Sequence, residues 1–153
     1  MNDPVRLLES AEAVLLVDWP NPGVPRALVE SGRAVFGYSP TGYSKAEIVD
    51  APSPEANPAS VFPPENSTQR GFLIFRKLPG RPPHVDIVAI YRPENELPGI
   101  LADHVLPLKA KAVWLLRPTT SAQERAMVEL HGILFIENCD IVAAARASKS
   151  SVR

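Results

Sequence analysis

The sequence predicts a three-layer α/β domain with a mainly parallel sheet of about five strands and helices on both faces. Short, almost wholly apolar runs recur along the chain, and most are followed by a segment with helical periodicity. An apolar run without alternation is typical of a strand buried on both faces. Parallel neighbours need crossover connections, which helices supply. The length favours one domain, because 153 residues can enclose one core but would leave two domains cramped.

The first part of the chain predicts a leading helix followed by a βαβ unit. Asp3 is a suitable N-cap for a helix with Pro4 at its first position. Pro25 lies near the start of the second predicted helix, and Gly32 follows its end. The predicted elements are a helix over Asn2–Ala11, a strand over Ala13–Val17, a helix over Val24–Ser31 and a strand over Arg33–Tyr38.

The middle of the chain predicts a long exposed excursion. Residues Thr41–Arg70 show no period and are dense in Pro, Ser, Asn and Glu. Proline donates no backbone N–H, and many of the 17 prolines fall at about residues 51–70, so this part is expected to be a loop that limited proteolysis cuts first. Gly71–Phe75 is expected to return as a short strand or an edge segment.

The second half predicts three further buried strands separated by helices. Ser121 and Glu124 have the spacing of a capping box at the start of one helix. The predicted elements are strands over Val85–Tyr91, Ala112–Leu116 and Ile133–Ile136, and helices over Glu96–Leu106, Ser121–Leu130 and Ile141–Arg146. Residues 1–146 are expected to form the single domain, and residues 147–153 a polar tail.

The composition excludes several partners and sites. The net charge of −1 and the lack of any basic block argue against nucleic acid and anionic membranes as partners. No apolar run approaches the roughly 20 residues of a membrane helix. Cys139 is the one cysteine and no export signal is visible, so a cytoplasmic location is expected. His84, His104 and His131 lack metal-ligand spacing, so no metal site is expected.

Any ligand is expected at the carboxyl ends of the parallel strands. Gly23 is the only glycine of the first loop, so the glycine-rich dinucleotide fingerprint is missing and Gly23 is most simply a turn residue. Asp18 either orients a ligand hydroxyl or caps the following turn. Arg92 either grips a phosphate or pairs with a surface acid. Trp19 is available to stack on an adenine or on a partner.

Several local strings also carry a family resemblance. Four strings carry the resemblance: the strand Val85–Tyr91 followed by Arg92-Pro93, the strand start Ala110–Leu115, the strand end Glu137–Cys139 and the loop Trp19–Pro22. Together they resemble the small bacterial CoA-binding domain proteins over roughly residues 11–140. Those proteins share the fold of the nucleotide-binding part of succinyl-CoA synthetase. The resemblance implies a Rossmann-like fold and a site for CoA or a related adenine nucleotide.

The same comparison shows where the phosphate site departs from the family. The family's first strand ends in glycine and small residues, whereas this chain has Asp18 and Trp19 there and a shortened loop. The family's glycine-containing turn is replaced by Arg117–Thr120, in which Arg117 either binds a phosphate or reaches solvent. The residues expected to contact a ligand are Asp18, Trp19, Gly23, Val24, Ser39, Tyr91, Arg92 and Arg117.

The sequence therefore predicts a non-catalytic module that binds CoA or a related adenine nucleotide through a degenerate phosphate site. No acid–base or nucleophilic constellation is visible, so no catalytic residue is assigned. The alternative is a structural or protein-interaction domain that keeps the fold but has lost its ligand. An enzyme using Asp18 or Cys139 is the least favoured class. A nucleotide is the expected small-molecule partner, while a protein partner or a homo-oligomer is left open.

Overall fold

Eight strands form one mixed sheet in the computed structural model, which describes residues 3–54, 60–66 and 69–148. The strands are β1 (Ala13–Val17), β2 (Ala34–Ser39), β3 (Gly42–Val49), β4 (Val61–Phe62), β5 (Phe72–Lys77), β6 (Ile87–Ile90), β7 (Ala112–Leu115) and β8 (Leu134–Ile136). Their order across the sheet is β4-β5-β3-β2-β1-β6-β7-β8.

Within the described ranges, five helices accompany the sheet: α1 (Pro4–Ser10), α2 (Gly23–Glu30), α3 (Leu97–Ile100), α4 (Ala122–Glu129) and α5 (Ile141–Ala147). A 3-10 turn over Glu94–Glu96 precedes α3, and a π turn over Leu101–Val105 continues it. The predicted caps are present, because Asp3 accepts from two amides of α1 and Ser121 and Glu124 form the capping box of α4. No helix in the described part of the chain is long and apolar enough to cross a membrane.

The predicted parallel strands are confirmed, but the predicted strand count is wrong. Strands β2, β1, β6, β7 and β8 are all parallel neighbours, as their apolar character indicated. Strands β3, β5 and β4 extend the sheet beyond β2 in antiparallel pairings, so it has eight strands and not five. The weakly indicated strand at Gly71–Phe75 is one of these, β5.

The prediction of an exposed excursion over Thr41–Arg70 is therefore wrong for its first residues, which form β3. Strand β3 turns back directly after β2, and Gly42 has a φ of 121° in the turn that joins them. Ala46 is buried, while Lys45 and Glu47 point to the opposite side, so β3 alternates like a half-buried strand. Residues 55–59 and 67–68 of the Pro-rich stretch, and residues 149–153 of the predicted tail, lie outside the described residues.

Two hydrophobic clusters, one on each face of the sheet, make up the core. Val14 and Leu16 of β1 pack with α1, α2 and α5 on the first face. Leu15 and Val17 pack with α3, the π turn and α4 on the second face. Consecutive strand residues point to opposite faces, so β1 is buried from both sides. This arrangement leaves only the ends of the central strands open to a ligand.

Arg26 of α2 joins the antiparallel extension to the parallel part of the fold. Its side chain is buried, and its guanidinium donates to the backbone carbonyls of Phe62 at 3.2 Å, Arg70 at 3.4 Å and Gly71 at 3.2 Å. Those carbonyls lie at the end of β4 and just before β5. A partly buried carbonyl that loses its partner is still destabilising, so Arg26 holds this segment against α2 by donating to three of them.

We expect Arg26→Met to lower the free energy of unfolding by about 3 kcal/mol, because methionine fills similar space but leaves the carbonyls unpaired. Urea denaturation followed by circular dichroism measures the change. Arg6→Met is the matched control, since the Arg6 side chain is 85% exposed. A loss no larger than that of the control would show that the guanidinium contacts contribute little.

Candidate functional site

A crevice of about 570 Å³ lies at the carboxyl ends of β1, β2 and β6. The residues after β1 lead to α2 on the first face of the sheet, and those after β6 lead to α3 on the second. Connections that leave neighbouring parallel strands in opposite directions open a gap between them, and α/β proteins bind ligands there. The walls are supplied by residues 17–19, 38–40 and 92–104. We refer to this cavity as the crevice.

Asp18 occupies a left-handed backbone conformation at the mouth of the crevice, with a φ of 66°. Aspartate tolerates this conformation better than most residues because its short side chain can hydrogen-bond locally. Its Oδ1 accepts from the backbone N–H of Trp19 at 2.8 Å, and its Oδ2 accepts from Arg92 Nη1 at 3.1 Å. Asp18 therefore caps the turn and also places a carboxylate in the crevice.

Arg92, directly beyond β6, is held between two carboxylates. Its Nε and Nη2 donate to Glu96 Oε1 and Oε2 at 2.9 and 2.6 Å, and its Nη1 donates to Asp18. The hydrogen bond from Arg92 holds the pKa of Glu96 below its ordinary value. Hydrogen bonds to Glu96 and then to Asp18 raise the pKa of Arg92 itself. The guanidinium is thus already neutralised by groups of this chain.

Arg117 follows β7, lies outside the crevice and has structural partners. Its Nε donates to the carbonyl of Arg92 at 2.7 Å, and its Nη1 donates to the carbonyl of Thr119 at 2.7 Å. Its Nη2 donates to Glu124, whose buried carboxylate also belongs to the capping box of α4. Arg117 lines a separate depression of about 420 Å³, which includes Val24 and Cys139. It therefore joins the ends of β6 and β7 to α4.

The N-terminus of α2 offers no free backbone donor. The N–H of Gly23 is bonded to Asn21 Oδ1 at 2.9 Å, and the N–H of Val24 to the Asn21 carbonyl at 3.2 Å. Pro25 has no N–H, and the N–H of Arg26 already bonds to the carbonyl of Pro22 at 3.2 Å. A phosphate at a helix start is normally held by such amides. In the first turn of α2, each backbone N–H group is either missing or already engaged in a hydrogen bond within the protein.

Trp19 covers the first face of the sheet at the edge of the crevice. Its ring stacks on Phe75 of β5, with centroids 4.9 Å apart and planes 11° apart. Both rings lie over Gly37 of β2, where an added Cβ would be 3.3 Å from Phe75 and 3.4 Å from Trp19. The absence of a side chain at Gly37 therefore leaves the space that the indole of Trp19 occupies. One face of Trp19 is consequently occupied within the protein.

Sequence reasoning missed a second group of polar side chains, which surrounds His104 in the wall of the crevice. Tyr43 Oη lies 2.6 Å from His104 Nδ1, and the ring of Tyr38 lies 4.1 Å from that of His104. His104 is 6% exposed and lines the crevice. Tyr43 belongs to β3, which the sequence placed in an excursion, so no spacing signal could bring it to a histidine 61 positions away.

Burial governs the ionisation of this group. It lowers the pKa of His104; the charge of Asp103 raises that pKa and Arg81 lowers it further. Burial also raises the pKa of Tyr43. A neutral imidazole beside a neutral phenol results at neutral pH. A hydrogen bond between them is compatible with either imidazole tautomer.

The predicted site residues thus divide into two sets. Asp18, Trp19, Ser39 and Arg92 line the crevice together. Gly23, Val24 and Arg117 lie on the α2 side, and Tyr91 is exposed just after β6. The described residues contain no group of three or more side chains that could hold a metal ion.

Comparison with known proteins identifies the family and supports the fold. A family model described as the CoA binding domain matches residues 31–145, most of the chain. The chain belongs to the CoA binding domain family. The match begins after α2, so it does not include β1 or the loop that carries Asp18 and Trp19. The resemblance found in the sequence is confirmed for the family and for the α/β fold.

One solved structure similar to this member of the CoA binding domain family is that of cell-free ID.343 from Thermus thermophilus. It has 17% sequence identity and a TM-score of 0.55, and the alignment covers 93% of each chain. At this identity the likeness supports the fold alone. No curated protein matches the chain.

The lowered pKa of His104 leads to a prediction about stability. The pKa of His104 is lower in the folded protein than in the unfolded chain. Between these two pKa values the unfolded chain binds more protons than the folded protein. The free energy of unfolding therefore falls as the pH drops below about 6.5. For one proton the slope cannot exceed about 1.4 kcal/mol per pH unit.

We expect His104→Gln to remove this component from the pH dependence measured by urea denaturation. His131→Gln is the control, because His131 is exposed. Carboxylates also titrate at lower pH, so the informative quantity is the difference between the variants. An unchanged pH dependence in His104→Gln would contradict the assignment.

Proposed function

We propose that this protein is a non-catalytic module of the CoA binding domain family whose phosphate site is degenerate, so that CoA or a related adenine nucleotide binds weakly. The observation that carries the proposal is the start of α2, where Asn21 takes the N–H groups of Gly23 and Val24 and Pro25 has none. Without free amides a pyrophosphate loses its usual partners at this position.

The charges near the crevice support weak binding of anions. Arg92 is the cation at its mouth, and Asp18 and Glu96 already neutralise it. A phosphate about 4 Å from one carboxylate is repelled by about 1 kcal/mol in water and by about 4 kcal/mol at a surface-like dielectric. Binding would require Arg92 to exchange a carboxylate for the phosphate, so the gain is the difference between two similar interactions.

The proposal of a non-catalytic role rests on what surrounds the titratable groups. His104 lines the crevice and has a pKa lowered by burial, and its hydrogen-bond partner is Tyr43. Cys139 lies in the separate depression, away from that pair. A nucleophile and its base need hydrogen-bond contact, and these residues do not supply it.

The second candidate function is a structural or protein-interaction domain that has lost its ligand. It is favoured by Arg117, whose guanidinium is used on the carbonyls of Arg92 and Thr119 and on Glu124. A guanidinium with these three partners is not free to bind a phosphate. A single domain over residues 1–146 and a cytoplasmic location also remain proposals.

Isothermal titration with CoA, dephospho-CoA and ADP tests the proposal. We expect weak or undetectable binding by the native chain and about tenfold tighter binding for each 1.4 kcal/mol of repulsion that a substitution relieves. Asp18→Gly removes a carboxylate and suits the φ of 66° at that position. Asn21→Ala frees the N–H of Gly23 and should tighten binding independently.

Two further variants make the titration decisive. Arg92→Ala should weaken any binding that is detected, whereas Asp50→Asn changes an exposed carboxylate away from the crevice and should have no effect. Tight binding by the native chain that survives Arg92→Ala would contradict the degenerate site. Failure of every variant to bind any of the three compounds would favour the second candidate.

A further inference from the structure

The crevice holds more negative than positive charge. Asp18, Glu96 and Asp103 line it with carboxylates, and Arg92 is the one guanidinium among the lining residues. Arg92 forms ion pairs with Asp18 and Glu96. Asp103 has no salt bridge to any cation among the described residues, although the charge of Arg81 acts on neighbouring His104 and Tyr43. The electrostatic potential inside the crevice therefore favours a positively charged ligand.

His104 is an independent indication that the crevice binds a ligand. It is 6% exposed, and its Nδ1 is taken by Tyr43. Its Nε2 makes no hydrogen bond to the described residues. Every fully buried side-chain nitrogen or oxygen among those residues has a hydrogen-bond partner, so Nε2 is not fully buried. The Nε2 atom must therefore reach an accessible surface, and the crevice is the cavity that His104 lines. An imidazole whose second nitrogen opens onto a cavity can accept a hydrogen bond from a polar molecule bound there.

The π turn places Asp103 and His104 side by side at this position. The N–H of Leu106 bonds to the carbonyl of Leu101 at 3.0 Å, which is the wide spacing of a π turn. Such turns disrupt the regular helical ladder and are frequent at functional sites. Both residues line the crevice, so a carboxylate and a ring nitrogen belong to the same wall of the cavity.

We propose that the crevice binds a small organic amine, whose ammonium group donates hydrogen bonds to His104 Nε2 and to the Asp103 carboxylate. In this arrangement Nδ1 of His104 carries the proton and donates to Tyr43 Oη. The carbon chain of the amine lies towards Trp19 and Tyr38, and Asp18 and Glu96 complete the negative surroundings. The proposal concerns the same crevice as the proposed nucleotide site but does not require that CoA binds.

The ionisation of His104 agrees with a role as an acceptor. Burial lowers its pKa, so the imidazole is neutral at neutral pH and has a lone pair to offer. The groups that face it are Tyr38 of β2, Tyr43 of β3, Asp103 of the π turn and Arg81 of the segment before β6. Acidification protonates His104 and should weaken amine binding, whereas it should strengthen binding of an anion.

The test uses three probes of equal chain length and different charge: putrescine, butanediol and succinate. Each is added to the full chain while the imidazole resonances are recorded by NMR. Putrescine is expected to shift the His104 signals in a saturable way, with little effect from butanediol and none from succinate. His84 and His131 are exposed and serve as internal references. Lowering the pH through the folded pKa of His104, which lies below the ordinary value of about 6.5, should weaken the putrescine effect.

Variants separate the site from general attraction of cations. Asp103→Asn, at an exposed position, should weaken putrescine binding about tenfold, and Asp50→Asn should leave it unchanged. His104→Gln should also weaken it, and the wild-type NMR titration stands if that variant does not fold. Equal shifts for all three histidines, equal effects of the three probes, or no shift of His104 would each overturn the proposal. Weak CoA binding that is lost in Arg92→Ala, without putrescine binding, would overturn it and leave the proposed function intact.

Discussion

Burial of β1 on both faces is the constraint on which the rest of the structure depends. Val14 and Leu16 are covered from one side and Leu15 and Val17 from the other. Full burial of such a side chain is worth about 1.5–3 kcal/mol, so a strand with no polar face must lie at the centre. At its start, Asp86 Oδ2 accepts from the N–H groups of Glu12 at 2.8 Å and Ala13 at 3.0 Å. Hence only the opposite end remains for binding.

The arginines at that end serve two different purposes. Arg92 and its partners are 40–49% exposed, and ion pairs of this kind contribute at most about 1 kcal/mol to stability. They mainly set the charge and width of the crevice mouth. Arg117 is 19% exposed and faces Glu124, which is 1% exposed, so removing either would leave a poorly solvated charge. Arg117 therefore stabilises the fold, and Arg92 shapes the site.

The parallel core could be predicted because each strand carries its own signal. Continuous apolar runs identified β1, β6 and β7, and capping residues identified α1 and α4. Strand β3 was missed because composition outweighed pattern: Ala46 and Ile48 alternate with Lys45 and Glu47, yet nearby Pro and Ser residues suggested a loop. Strand β4 has two residues, too few for any periodicity.

The position of the candidate site could be predicted from the sequence, but the contacts between its side chains could not. The rule that ligands lie at strand ends placed Asp18 and Arg92 correctly at one rim. Their pairing depends on the angle at which α3 leaves β6, which no local pattern specifies. Asn21 bonding to Gly23 depends on a side-chain rotamer, and Tyr43 meets His104 only because β3 pairs with β2. The contacts of Asp18 with Arg92 and of Tyr43 with His104 therefore follow from tertiary packing, whereas the contact of Asn21 with Gly23 is local.

Membership of a CoA binding family does not by itself imply an intact CoA site. The family match begins at residue 31, so it covers the scaffold from β2 onwards and omits the loop after β1. Scaffold and loop are under separate physical demands, because packing fixes the first while ligand contact fixes the second. In this chain the scaffold keeps its parallel strands, whereas the loop carries Asp18 and uses its own amides. The crevice therefore follows from the fold of the scaffold, whereas its charge is set by side chains such as Asp18 in the loop.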